Sequence, residues 1–246
     1  MFNRLIEKLS FPSNTKIDLL HTTDLHSHLI PAIDDGVKNL KQSISIIRDL
    51  QEMGFKKIVT TPHIMRHRFP NSRDAILYRY EILKKELIKY SINVDLQVAS
   101  EYYYDEHFLD LINKKELLTF GDNYVLFEFS FHIKPIGIAQ VVTRLLELGY
   151  KPVLAHPERY FFFNDIKDYY ALKDLGLLFQ INLVSLHGFY GKKAKKSIEE
   201  IVDAGLVDFI GSDIHSEKYV EAFDKMLKNK AYSKIFEKNY IKNDFL

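Results

Sequence analysis

The sequence predicts an α/β protein whose parallel strands form a seven-stranded barrel carrying a metal site at one mouth. Three observations carry this expectation. Seven apolar, strand-like runs alternate with helical patterns, which implies a parallel sheet wound in one sense. The 246 residues suit one such barrel and its core. Metal-ligating side chains recur beside or just after the runs, in Asp24-Leu25-His26-Ser27-His28, Asp34-Asp35-Gly36, Thr61-Pro62-His63, Glu101, Glu128, His156-Pro157-Glu158-Arg159 and Asp213-Ile214-His215.

The strands are expected at about 20–25, 57–61, 94–99, 124–129, 152–155, 178–183 and 207–211. Between the first two, Val37, Leu40, Ile44, Ile47 and Leu50 share one helical face, and Gly54 ends the pattern. Ile76, Tyr80, Leu83 and Leu87 define the second helix. Ile138, Val142, Leu145 and Leu148 define a third that stops at Gly149. Further helices are expected at about 165–174, 192–204 and 217–229. No composition break or internal repeat divides the chain, so residues 21–246 read as a single domain. Residues 1–20 form an N-terminal extension whose first part, with Phe2, Leu5, Ile6 and Leu9, reads as a short amphipathic appendage, a frayed helix or surface latch.

Composition narrows the functional classes. A net charge of +1 gives no general attraction to nucleic acid or anionic membrane. The chain has no cysteine, so disulfides, thiolate metal sites and a cysteine nucleophile are excluded. Any metal is then held by imidazole and carboxylate, which suits Mn, Fe, Zn or Mg. No apolar run approaches the roughly 18 residues of a membrane span. Glu7 and Lys8 stand where a secretory signal would carry its apolar core, and the cytoplasm is the expected compartment.

Each candidate also has an ordinary reading. In a strand, residues i and i+2 face the same way, so His26 and His28 converge, as do Asp213 and His215 on the last strand. A lone His-x-His is also compatible with two half-buried histidines. Glu128 sits inside an apolar run, where an unpaired carboxylate is costly and a cation or a basic side chain must answer it. Glu101, beside Tyr102 to Tyr104, could equally be a loop residue. Pro62 fixes the strand exit and the direction of His63. Asp34-Asp35-Gly36 alone is a turn leading into a helix. Arg159 offers a planar fork suited to phosphate, or an ordinary ion pair with Glu158 or another acid. Together they put five of ten histidines and four carboxylates at corresponding strand ends. His21, His67, His107, His132 and His187 lack that register and read as surface or ordinary residues. Lys192, Lys193, Lys195 and Lys196 read as a solvated helix face.

The combined set resembles the polymerase-and-histidinol-phosphatase (PHP) superfamily, and more narrowly the bacterial protein-tyrosine phosphatases of the CpsB/YwqE type, from about Asp24 to His215. The resemblance implies a distorted (β/α)7 TIM-like barrel with three divalent ions, Mn first among them, at its C-terminal mouth. It implies that His26, His28, Glu101 and Asp213 hold one ion, that Glu101 bridges to a second held by Glu128 and His156, and that Asp35, His63 and His215 hold the third; the choice of Asp35 over Asp34 is open. It implies a metal-activated hydroxide attacking phosphotyrosine, with Arg159 as the catalytic cation, and a membrane-bound bacterial tyrosine kinase of capsule or exopolysaccharide export as the phosphorylated partner. A small-molecule phosphatase acting on a substrate such as histidinol phosphate would share the metal chemistry. An amidohydrolase would want a bridging lysine where Glu128 stands. A nuclease would want a strongly basic face. A non-catalytic interaction module would show degenerate ligands, and here the set is complete. The tyrosines at 102–104 and the aromatic run 160–163 are candidates to stack on a substrate ring.

Overall fold

The computed structural model describes residues 19–246. The expected N-terminal latch therefore lies outside the described residues. The elements in chain order are β1 (Thr23–Asp24), α1 (Leu40–Met53), β2 (Lys57–Thr60), β3 (His63–Ile64), α2 (Arg73–Lys89), β4 (Asp95–Val98), β5 (Glu101–Tyr103), α3 (Glu106–Lys114), β6 (Tyr124–Glu128), α4 (Ile138–Glu147), β7 (Lys151–Ala155), α5 (Ile166–Asp174), β8 (Leu178–Asn182), α6 (Lys192–Asp203), β9 (Phe209–Gly211), α7 (Glu217–Leu227) and α8 (Lys230–Lys238).

Every ladder between these strands is parallel. They form two sheets, β1-β2-β4 and β3-β5-β6-β7-β8-β9. Nine strands replace the expected seven because two predicted runs are each continued by a second short strand. The run at 57–61 resumes as β3 beyond Pro62, which has no amide N–H to give the ladder. The run at 94–99 resumes as β5 beyond Ser100. The sheets do not close into one continuous ladder. The segments that follow the first and last strands instead meet at an isolated bridge between Ser27 and Ile214, where Asp213 N–H donates to His26 O at 2.7 Å and His28 N–H to Ile214 O at 2.9 Å.

Alternation sorts the strand side chains into two cores. Val125, Phe127, Leu154, Phe179, Ile181 and Ile210 face the helices and join the larger core. Leu25, Val59, Ala99, Leu126, Val153, Ala155 and Phe209 form a smaller core on the other face, closed by Phe120. One step of two further along that second face come Glu128 after Leu126, and Gly211 after Phe209. The floor of the site is thus apolar and its rim polar.

Two helices were not expected. Asp105 caps α3 by accepting from Phe108 N–H. The helix expected at 217–229 ends at Leu227, and Asn229 caps the separate α8 by accepting from Ala231 N–H. No helix among the described residues is long and apolar enough to cross a membrane.

Candidate metal and phosphate site

The nine predicted ligands come together at the C-terminal ends of the strands. Regular strand geometry places His63, Glu101 and Glu128, in β3, β5 and β6, but not the other six. β1 ends at Asp24, and Ser27 belongs only to an isolated bridge. His156 (φ 35°) and Asp213 (φ 53°) both have left-handed backbone, an uncommon state for residues other than glycine. His26 and His28 still converge, with their Nε2 atoms 3.2 Å apart.

Second partners fix the imidazoles. Gln180 Oε1 lies 2.7 Å from His26 Nδ1, while the Gln180 amide nitrogen donates to Ile181 O and Asn182 Oδ1. Asp34 Oδ2 lies 2.9 Å from His28 Nδ1. Each Nδ1 therefore carries a proton, and in its neutral form each ring turns a bare Nε2 lone pair toward the other. His215 Nδ1 donates to Asp213 O at 2.8 Å, which leaves its Nε2 facing Asp35 Oδ1 at 3.5 Å.

The carboxylates stand among these rings. Glu101 Oε2 is 3.2 Å from His26 Nε2 and 3.3 Å from His28 Nε2, and its other oxygen is 3.0 Å from His156 Nε2. Glu128 lies 3.5 Å from His63 and 3.7 Å from His156. Asp213 Oδ1 lies 3.4 Å from His26. Three groups offer ligand atoms within 4.8 Å of one another: His26, His28 and Glu101; His63, Glu101 and Glu128; and His28, Asp35, His63 and His215. His28 and His63 each serve two groups, a sharing that the expected three-way partition did not contain.

The donor set fits divalent cations. Facing lone pairs and packed carboxylates repel one another unless a positive charge lies between them. His63 Nδ1 and Asp35 Oδ1 are buried without a hydrogen-bond partner. In the metal-free protein, protons take that place. Burial lowers His28, yet Asp34 beside it raises it well above an ordinary histidine. Burial would raise Glu101, but His26 and His63 hold it well below the usual carboxylate range. Burial, then the charge of Glu101, pushes Glu128 well up. Burial brings His63 and His156 down to about 4, so both are neutral, as metal ligands must be.

Asp34 and Asp35 divide their work. Asp34 also accepts from His63 N–H at 3.0 Å and Gly36 N–H at 2.9 Å, so its oxygens are committed to positioning. Asp35 faces the histidines of the cluster. Arg159 lies between the rings of Phe131 and Tyr190, 4.5 and 4.1 Å from their centroids, and donates to Asp213 Oδ2 at 2.9 Å. The expected alternative, an ion pair with Glu158 or another acid, forms with Asp213 and not with Glu158. Glu158 is buried and accepts from Asn182 N–H and Ser185 Oγ.

A cavity of about 770 Å³ opens over the cluster. Tyr103, Phe129, Phe131, His132 and Tyr219 supply aromatic wall, and Arg68 stands at its edge. His67 and His132, expected as ordinary residues, both line it. Most of the expected stacking aromatics do not. The Tyr102 hydroxyl accepts from Leu118 N–H, and the Tyr160 hydroxyl donates to Ala155 O, both inside the core. Sequence reasoning also missed Gln180, Asn182 and Tyr190. The last two donate to Asp213 at 2.6 and 3.0 Å. Gln180 and Asn182 had a legible signal: two amides at i and i+2 in an apolar strand need buried partners.

Residues 22–244 match the family model described as capsular polysaccharide synthesis, CpsB/CapC. The chain is 35% identical to the tyrosine-protein phosphatase YwqE of Bacillus subtilis over 201 residues, covering 79% of this chain and 78% of that protein. It is 33% identical to the tyrosine-protein phosphatase CpsB of Streptococcus pneumoniae over 202 residues, covering 78% and 82%. Among solved structures it resembles one described with YwqE and CpsB as unique metal-dependent tyrosine phosphatases, with a TM-score of 0.76, 30% identity, and coverage of 88% of this chain and 90% of that one. The match spans most of the chain, and the chain belongs to the CpsB/CapC family of capsular polysaccharide synthesis.

Proposed function

We propose that this protein is a metal-dependent protein-tyrosine phosphatase. The observation that carries the reading is a buried cluster of imidazoles and carboxylates under an open, aromatic-walled cavity with Arg159 at its edge. His26, His28, Glu101 and Asp213 would hold one divalent ion, Glu101, Glu128 and His156 a second, and Asp35, His63 and His215 a third; Mn²⁺ suits these nitrogen and oxygen donors. Bound ions would supply Lewis acidity, drawing phosphoryl oxygens and acidifying a water at neutral pH.

The chain's own residues do the rest. Arg159 has its planar fork fixed by two aromatic rings and by Asp213, so it meets phosphoryl oxygens without reorganising. Phe131 and Tyr190 shield it from water, which strengthens that contact. Tyr103 and Phe129 offer apolar wall to a phenyl ring. A tyrosine leaving group has a reference pKa of about 10 and departs with less acid assistance than an alkoxide. The reading extends to the distorted barrel, a cytoplasmic setting and a membrane-bound bacterial tyrosine kinase as target, in keeping with the family's role in capsular polysaccharide synthesis.

The test is phosphate release from a phosphotyrosyl peptide and from histidinol phosphate, each with Mn²⁺ and with chelator. Preference for the peptide, abolished by chelation, is expected. Preference for histidinol phosphate would move the function to small-molecule metabolism.

A further inference from the structure

Beside the cavity the protein holds apolar side chains out in water on a rigid loop. Ile133 and Ile136 are 72% and 92% exposed, and Phe161 is 50% exposed. The loop is pinned: His132 and Ile133 N–H both donate to Ser130 Oγ, the Tyr104 hydroxyl donates to Ile136 O at 2.8 Å, and Phe161 N–H donates to Phe131 O at 2.8 Å. His132 stacks on Phe161 at 4.9 Å. The patch is continuous with the site, since Phe131 and His132 line the cavity and Phe131 covers Arg159.

Its border is cationic. Lys193 donates to Phe161 O and to Asn164 Oδ1, and its ammonium lies over the Phe161 ring at 5.5 Å. Lys192 adjoins it at the start of α6, and Lys134, between the two isoleucines in sequence, has its exposed ammonium 4.0 Å from Asp168. Lys193 thus joins the basic run to the apolar lip, while Lys195 and Lys196 pair with Glu199 and Glu200 along α6.

We propose that this lip docks the polypeptide flanking the target phosphotyrosine, seating an apolar side chain on Ile133, Ile136 and Phe161 and acidic side chains against Lys134 and Lys193. The proposal rests on the phosphatase reading and names its substrate class: acidic, apolar-flanked phosphotyrosyl segments rather than free aryl phosphates. Continuity with the cavity makes the occupant the chain attached to the phosphotyrosine, and the lysines make it acidic.

The test uses the full chain with Mn²⁺ and three substrates: 4-nitrophenyl phosphate, a phosphotyrosyl peptide flanked by Leu and Glu, and the same peptide flanked by Ser and Gly. The Leu/Glu peptide is expected to exceed the Ser/Gly peptide in kcat/KM by roughly tenfold, the scale of burying one large aliphatic side chain. Ile136→Asp should lower the ratio of kcat/KM on the Leu/Glu peptide to that on 4-nitrophenyl phosphate by a similar factor, through KM. Lys193→Glu should lower the same ratio, and less so at high salt. Equal preference for the two peptides, an unchanged ratio in Ile136→Asp, or sedimentation showing that the patch joins two copies of the chain would overturn the proposal. A wild type inactive on all three substrates would defeat the phosphatase reading alone. Docking is then read from anisotropy of a fluorescent Leu/Glu peptide carrying a phosphonate in place of the phosphate: binding weakened by Ile136→Asp supports it, and binding indifferent to that change overturns it.

Discussion

Asp34 accepts a hydrogen bond from His28 Nδ1 at 2.9 Å and so decides which nitrogen of His28 faces the cluster. Asp34→Asn can present its amide nitrogen to the ring instead and release that tautomer. Because partners of this kind govern ligand basicity and orientation, affinity for Mn²⁺ is expected to fall about 10–100-fold. Metal titration followed by thermal shift reads the change. Unaltered affinity would mean that Asp34 is only part of the turn.

Arg159→Ala is expected to lower kcat on phosphotyrosyl peptide by roughly 10²–10³-fold, the scale for losing one charge contact to a transition state. Arg159→Lys should recover little of it, because an ammonium cannot reproduce a planar fork seated between Phe131 and Tyr190. Steady-state kinetics with saturating Mn²⁺ makes the comparison, and full activity in the lysine variant would contradict it.

Gly211 touches the site from below. A Cβ there would lie 2.7 Å from both His26 Cβ and Gln180 Nε2. Gly211→Ala must displace the histidine or its partner, and is expected to cost about 1–3 kcal/mol of stability. Metal affinity should fall with it. Denaturant unfolding and metal content after dialysis measure the two effects separately.

Chelation should abolish turnover and also lower the melting temperature, since ions that bind only the folded state stabilise it in proportion to the logarithm of their saturation. Restoring Mn²⁺ should restore both. A melting temperature indifferent to chelator would place the ions elsewhere or nowhere.

His21 supplies a pH dependence remote from the site. Burial pushes it down to about 4 from an ordinary 6.5. Its Nδ1 takes a hydrogen bond from the Tyr232 hydroxyl, and its ring meets Phe55 edge-on. Between pH 6.5 and 4 the unfolded chain binds a proton that the folded protein refuses. The contribution is full above 6.5 and is lost as pH falls toward 4, amounting to about 2 kcal/mol between pH 7 and 5. His21→Phe should lose less stability over that interval, as denaturation at the two pH values would reveal.

Much of this was readable from residue order. The gathering of these side chains was legible because cysteine-free sequences leave imidazole and carboxylate as donors, and because those types recur at strand ends. The family likeness drawn from them holds across residues 22–244. The backbone around the ligands was not legible. Left-handed His156 and Asp213 are set by tertiary contacts, Asp213 by its bond to His26 O and His156 by its bond to Gln180 O, which no local pattern encodes. Pro62 was read as a director of His63, yet it also splits a sheet. The tyrosines after Glu101 were assigned to the substrate because their run drew attention to side chains, whereas strand alternation buries Tyr102 and leaves Tyr103 at the cavity.

The seam at Ser27 and Ile214 joins an early segment of the chain to a late one, and His26, His28, Asp213 and His215 sit on its two sides. A ribosome finishes His28 long before it makes Asp213, so a half-synthesised chain carries five of the nine donors and no assembled site. Whatever chemistry the cluster performs therefore waits until both ends of the chain have been made and the seam has shut.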